Sequence, residues 1–302
     1  MEIYGQHITF PAYFCQMNDL PLVPYEKEHG IRLFVHLTNR CNANCEFCSN
    51  ASNRNNQSDF NLDTFRQTIH YLNEKKALNG VSFSGGEPSL DISLLNEAIN
   101  IVFDELGTQK QVAISTNGTH LADFLSLDHL NNLESIHLSR HHYLDEQNDQ
   151  IFKQSMLKTE ELIQIQSQLK NKHLLIFNCN VIKGYIDSIE EIKNYMEWAD
   201  SIGIHKCAFI PLMPINSYCK EHEIDTQAIF TSTHKNMIRM RSFSRINCCC
   251  LDGYYLTKEN RMMGYYTRTR DINIPCNDVK GLIYTADNHL KTGYGADATL
   301  FF

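Results

Sequence analysis

Eleven cysteines in 302 residues are spaced unevenly, and the spacing points to chemistry. Cys41, Cys45 and Cys48 stand in TNRCNANCEFCSN, a Cys-x3-Cys-x2-Cys run. In a chain of this composition such a match is expected by chance roughly 0.015 times. Three thiolates on one tight loop can hold three irons of a 4Fe–4S cube and leave the fourth iron open to a substrate or cofactor. A zinc site completed by a distant Cys or His suits the same three residues. The odd count fits poorly with a disulfide framework, and the chain reads as cytoplasmic, where thiols stay reduced. Cys179 in LLIFNCNVI and Cys207 in KCAFI read as small buried hydrophobes. Cys248, Cys249 and Cys250 are adjacent, and in extended chain Cys248 and Cys250 project to one side. With Cys276 they make three ligands around a hairpin, the fourth being Cys249, Cys219 or a substrate atom. A zinc knuckle, or plain burial in a small β subdomain, is the blander account.

Other residues of chemical interest stand at the ends of apolar runs. In SFSGGEPSL, Gly85 and Gly86 let backbone come close to a ligand, Glu87 adds an acceptor and Pro88 fixes the exit. The run ending in Ser139-Arg140-His141-His142-Tyr143 brings paired histidines that can bind substrate or shuttle protons. The plainer reading has one of them capping the next helix while the other faces water. Asn178 and Asn180 flank Cys179 and, in a strand, share a side as ribose or substrate contacts or as satisfied core polar groups.

Elements that position these groups are legible from periodicity. Strands are expected at 31–38, 80–84, 111–115, 134–139, 173–181 and 205–212, each a short apolar run between polar or Gly punctuation. Helices are expected over 62–72, over 92–106 with Gly107 as its stop, as one long polar-rich stretch over 145–170, and over 188–202 from a Ser188-x-x-Glu191 capping box. Six βα units in series imply a parallel sheet, either a partial barrel or doubly wound, with ligands at the carboxyl ends of its strands. Residues 1–30 form a short extension, too small for a recognition domain, 31–213 the α/β unit, and 214–302 a Cys-rich extension with hairpins at 253–267 and 282–293. A net charge of -8 argues against a nucleic-acid grip based on bulk positive charge. Neither a secretory signal nor an apolar run long enough to span a membrane is present.

The two motifs in this order, on this βα pattern, resemble the radical S-adenosylmethionine (SAM) superfamily over residues 31–213. The resemblance implies a partial (β/α)6 TIM-type barrel with a small β-rich, Cys-rich extension. It implies a 4Fe–4S cluster on Cys41, Cys45 and Cys48 whose open iron is chelated by SAM, with the Gly85-Gly86-Glu87-Pro88 loop at the methionine amino group. Phe47 matches the apolar residue that lies against adenine. Ser115 and Asn117, in a turn similar to the family's STNG, would reach methionine or ribose. Ser139 and Arg140 would meet the carboxylate or ribose, Arg140 because its fork pairs a carboxylate, and Asn180 the ribose or substrate. The activity implied is reductive cleavage of SAM to a 5′-deoxyadenosyl radical that abstracts hydrogen from substrate, fed by an electron donor such as flavodoxin or ferredoxin. The C-terminal part resembles the twitch-type, SPASM-related extension of molybdenum-cofactor biosynthesis enzymes. That implies an auxiliary 4Fe–4S cluster on Cys248, Cys250 and Cys276, although a cysteine frequent in such extensions near the position of Gly293 is missing. A small metabolite or nucleotide-like substrate is the first expectation, maturation of a ribosomally made peptide the second, and a non-enzymatic iron–sulfur or zinc protein the third.

Overall fold

The structure, a computed structural model, describes residues 1–8, 31–56, 59–225, 229, 281–293 and 298–302 in full, and the backbone alone of strands 13–14, 23–24, 237–242, 252–258 and 261–267. The six apolar runs form strands β1 (Ile31–His36), β2 (Leu78–Ser84), β3 (Gln111–Thr116), β4 (Ser135–Ser139), β5 (Leu175–Val181) and β6 (Lys206–Pro211). Consecutive strands pair in parallel. After them come β7 (Met237–Ser242), β8 (Asp252–Lys258), β9 (Arg261–Thr267), β10 (Gly281–Tyr284) and β11 (Leu290–Lys291).

The C-terminal strands lengthen the sheet at both edges. β9 adds in parallel to β6 and β10 in parallel to β1, so eight strands run parallel where sequence periodicity predicts six. The expected hairpins form as β8–β9 and β10–β11, with β7 antiparallel to β8 beyond them. The 282–293 hairpin is therefore joined to the barrel sheet, Leu282 beside Leu33. The six-strand sheet would leave two rows of unpaired backbone groups; these strands pair with both, and β7 and β11 become the outer edges.

Alternation along the strands decides between barrel and doubly wound sheet. Ile31, Leu33 and Val35 are buried in one core with Phe65, Ile69 and Leu72, while Arg32, Phe34 and His36 face the other side and stay partly exposed. One apolar face covered by helices and one polar inner face is the pattern of a partial barrel.

Helix α1 (Leu62–Glu74) starts where the Asn61 side chain accepts the Thr64 N–H, and α2 (Ile92–Leu106) where Asp91 accepts that of Leu94. Gly107 stops α2 at φ 81°. The predicted long helix over 145–170 is two: α3 (Asp145–Phe152) and α4 (Thr159–Gln168). Lys153 turns left-handed at φ 53°, and Asp149 accepts the Met156 N–H at 2.9 Å and pairs with Lys158 across the gap, so a side chain replaces the helical bonds. In α5 (Ile189–Ser201) Ser188 accepts the Glu191 N–H at 3.2 Å as the capping motif predicts. Short α6 (Ser217–Glu221) follows β6. Among the described residues no helix is long and apolar enough to cross a membrane.

Candidate active site

At the carboxyl end of β1 the chain runs directly into the Cys41 loop, and the β2 turn receives it. The Gly86 N–H donates to Thr38 O at 2.6 Å and the Glu87 N–H to Arg40 O at 2.8 Å. A Cβ on Gly86 would lie 2.1 Å from Arg40 O, and one on Gly85, whose φ is 145°, 2.5 Å from Thr38 O. Both contacts are with backbone, so only glycine fits. The close approach expected of these glycines is thus made first to the cysteine loop's own main chain.

Glu87 is 1% exposed and joins two strand ends. Its Oε1 accepts from the Ser89 N–H and hydroxyl at 3.0 and 2.7 Å and from the Thr116 hydroxyl at 2.6 Å, while Oε2 accepts the Asn117 N–H at 2.6 Å. Pro88 takes the first position of a short 3-10 turn, where no N–H is required, and its side chain does not border the cavity.

The loop is fastened along its length. Asn44 N–H donates to Phe152 O at 2.9 Å, the Asn50 amide to Asn39 O at 2.9 Å, and the Asn216 amide to Glu46 O at 2.8 Å. Cys41 and Cys48 accept the N–H groups of Ala43 and Asn50, each at 3.4 Å. All three cysteines stay half-exposed. Burial pushes the Cys41 thiol up, and burial reinforced by Cys48 and Cys41 pushes Cys45 up to about 12. Such a set is at ease as thiolates only when a cationic group takes them together. Among the described residues no three His, Cys, Asp or Glu side chains converge as one metal ion requires. Three thiolates on one loop can hold three irons of one cube and leave the fourth open. The donor set fits a 4Fe–4S cluster.

A cavity of about 330 Å³ opens over these thiols. Of the residues singled out in the sequence, Phe47, Gly85, Gly86, Glu87, Ser115, Asn117, Ser139 and Asn180 border it with Cys41, Cys45 and Cys48. Arg140 does not. Strand alternation sends Ser139 to the cavity and Arg140 to the helix side, where it is 3% exposed. Its guanidinium donates to His142 O and Leu157 O at 2.9 and 2.8 Å, pairs with Asp145 and lies 5.1 Å from the centre of the Trp198 ring. Arg140 is thus held on the helix side, away from the cavity. Asn178, two residues before Asn180 on the same side, does not border the cavity.

Both histidines are buried, so the expectation that one faces water is corrected. His142 is 6% exposed and its Nδ1 accepts the Leu144 N–H at 3.0 Å at the start of α3. His141 is 4% exposed and borders the cavity. Its Nδ1 accepts the Asn180 N–H at 3.0 Å, its ring stacks on Phe152 at 4.8 Å, and Phe47 meets it edge-on at 5.0 Å. Because Nδ1 accepts, the proton resides on Nε2. Burial, then the charge of Arg140, lowers His141 to about 3, which leaves a fixed neutral donor and no proton shuttle near neutral pH.

Sequence reasoning missed Thr116 and the apolar wall at residues 210–213. The rule that ligands gather at strand ends, applied to FIPLMP after β6, would have found the wall. Cys179 and Cys207 are buried core residues, as expected. Cys219 is buried with Ile151, Ile182 and Leu212. Cys248, Cys249, Cys250 and Cys276 lie outside the described residues.

The sequence profile of the Radical SAM superfamily matches residues 35–224. A probable GTP 3′,8-cyclase of Methanocella arvoryzae is 32% identical over 90 residues, 30% of this chain and 27% of that protein. The putative peptide biosynthesis protein YydG of Bacillus subtilis is 29% identical over 84 residues, 28% of this chain and 25% of that protein. The chain thus matches less than a third of these curated relatives. The crystal structure of Streptococcus suis SuiB bound to S-adenosylmethionine superposes with a TM-score of 0.58 at 12% identity, covering 90% of this chain and 63% of SuiB. At that identity the likeness speaks for the fold.

Proposed function

The chain belongs to the radical SAM superfamily, and on that premise we propose that it is an enzyme that cleaves SAM reductively and oxidises or rearranges a small metabolite or nucleotide-like substrate by hydrogen-atom abstraction. The observation that carries this reading is one cavity walled by three half-exposed thiols on one side and the Gly85-Gly86-Glu87 turn on the other. When bound, a 4Fe–4S cluster with SAM supplies a 5′-deoxyadenosyl radical. Everything else falls to the protein. Cys41, Cys45 and Cys48 hold the cluster, and Glu87, which keeps acceptor capacity on Oε2, meets the methionine amino group. Phe47 and the wall at 210–213 cover the adenine and keep water from it. Ser115, Ser139 and Asn180 supply polar contacts to methionine and ribose, and His141 offers one Nε2–H.

An auxiliary 4Fe–4S cluster on Cys248, Cys250 and Cys276, with Cys249, Cys219 or a substrate atom as fourth ligand, belongs to this proposal. So does an external flavodoxin- or ferredoxin-like electron donor. A peptide substrate is the second reading, favoured by the partial similarity to the YydG peptide biosynthesis protein.

Anaerobic reconstitution with iron and sulfide, followed by reductant and SAM, tests the core of it. 5′-Deoxyadenosine and methionine are expected from wild type and not from Cys41→Ala. A fully loaded wild type that leaves SAM intact refutes the proposal. Candidate substrates, small molecules and short peptides alike, are then ranked by how far each stimulates 5′-deoxyadenosine formation.

A further inference from the structure

Asn117 spends both ends of its side-chain amide inside the protein. Its Oδ1 accepts the Thr119 main-chain N–H at 3.0 Å and the Thr119 hydroxyl at 2.7 Å. A peptide N–H can only donate, so the atom facing it is the oxygen and the NH2 group points the other way. There Nδ2 lies 2.8 Å from Asn42 Oδ1 and 3.9 Å from Cys41 Sγ. Asn42 Nδ2 in turn donates to Thr119 Oγ1 at 2.8 Å, which closes a ring of three side chains. From below, Glu87 Oε2 holds the Asn117 main-chain N–H at 2.6 Å. The residue is 9% exposed, and its main-chain N–H and both ends of its side-chain amide are engaged.

The N–H groups of Ala43 and Asn50, which also donate to these sulfurs, come from the loop itself. Asn117 adds a side-chain donor to a cluster cysteine, and it reaches in from another strand. A hydrogen bond to a ligating thiolate draws off electron density and favours the more negative, reduced cluster. The half-buried site strengthens that effect.

Resting on the reading of Cys41 as a cluster ligand, we propose that Asn117 is a positioning residue whose N–H···S bond to Cys41 raises the cluster's reduction potential. The resemblance had assigned this side chain to SAM. With both amide ends committed, its partner is the protein's own sulfur.

The test is a potentiometric titration of reconstituted wild type, Asn117→Ala, Asn117→Asp and Asn42→Ala, read by EPR. The relevant cluster is the one whose signal changes when SAM is added. Asn117→Ala is expected to make reduction roughly tenfold less favourable, a shift of about 59 mV to lower potential for a one-electron couple. Asn117→Asp keeps the acceptor for Thr119 and replaces the donor with negative charge, so it shifts further. Asn42→Ala breaks the ring but leaves the Asn117–Cys41 pair, and its midpoint stays near wild type. Should Asn117→Ala fail to take up iron, Asn117→Asp decides alone: a midpoint at or above wild type overturns the inference. Weakened SAM binding with an unmoved midpoint also overturns it, because that is the behaviour of a SAM contact. A wild type that cleaves SAM while the midpoints coincide sinks only the role of Asn117. A wild type with no SAM-responsive cluster signal sinks the functional reading too.

Discussion

Acid should destabilise the folded protein through His141 in a way that one substitution removes. The ring is 4% exposed between Phe47 and Phe152, and its Nδ1 is occupied by the Asn180 N–H at 3.0 Å. Burial and the neighbouring Arg140 charge lower its pKa from 6.5 to about 3. Between those values the unfolded chain binds a proton that the folded chain refuses. Stability from this residue is therefore complete above pH 6.5, falls as pH drops through that value, and stops falling near pH 3. With about 1.4 kcal/mol per pH unit, lowering the pH to 5 costs about 2 kcal/mol, a large part of the ~5–15 kcal/mol typical of a domain. His141→Asn places an amide oxygen near Nδ1, keeps an acceptor for Asn180 and has nothing to titrate. Urea unfolding of cluster-free protein under reductant, at pH 7 and pH 5, isolates the effect, since cluster ligation has its own pH dependence. Wild type should lose about 2 kcal/mol more than His141→Asn over that interval. Equal losses would show that His141 is protonated without penalty, and the fixed-donor argument would fall with it.

Other expectations follow from the same geometry. Gly86→Ala puts a Cβ 2.1 Å from Arg40 O, and displacing backbone should cost about 3 kcal/mol and lower iron bound per chain; full iron content in this variant would contradict the seat described for the cysteine loop. Arg140→Met leaves Asp145 without its cationic partner and should cost about 3 kcal/mol in urea unfolding, yet SAM cleavage per bound iron should stay at the wild-type level. A selective loss of SAM affinity there would restore Arg140 to the site. Removing Cys41, Cys45 and Cys48 together by Ala substitution should leave about four irons per chain if the distal cysteines hold a cluster, and about none if they do not.

Much of the site was legible because the chemistry sits where strands end. The two motifs lie at the carboxyl ends of β1 and β2, adjacent and parallel, and nothing but strand order was needed to bring them together. What sequence could not supply was the partner of each polar atom. Gly85 and Gly86 were read as making room for a ligand, yet the nearest atoms are those of residues 38–40. The 145–170 helix was read as continuous because nothing in its composition marks Lys153 as left-handed; Asp149, bonding forward to Met156 and Lys158, stabilises the break. The two extra parallel strands escape the sequence pattern because β9 and β10 begin at Arg261 and Gly281, far downstream of the end of β6 at Pro211, and carry no βα periodicity of their own.

The run from Ser139 to His142 shows how one period of two sorts function from support. Ser139 and His141 border the cavity, while Arg140 turns outward and is consumed by carbonyls, Asp145 and Trp198. Charge suggested the reverse, since a guanidinium is the natural partner for a carboxylate. Desolvation decides otherwise: a buried Arg holds its place only when carbonyls and a carboxylate meet its N–H groups, and those donors are then spent. Its residual field still acts on the site by helping to keep His141 neutral. Arg140 therefore serves the cavity through the protonation state of its neighbour, and the pH behaviour of His141 is where that service can be measured.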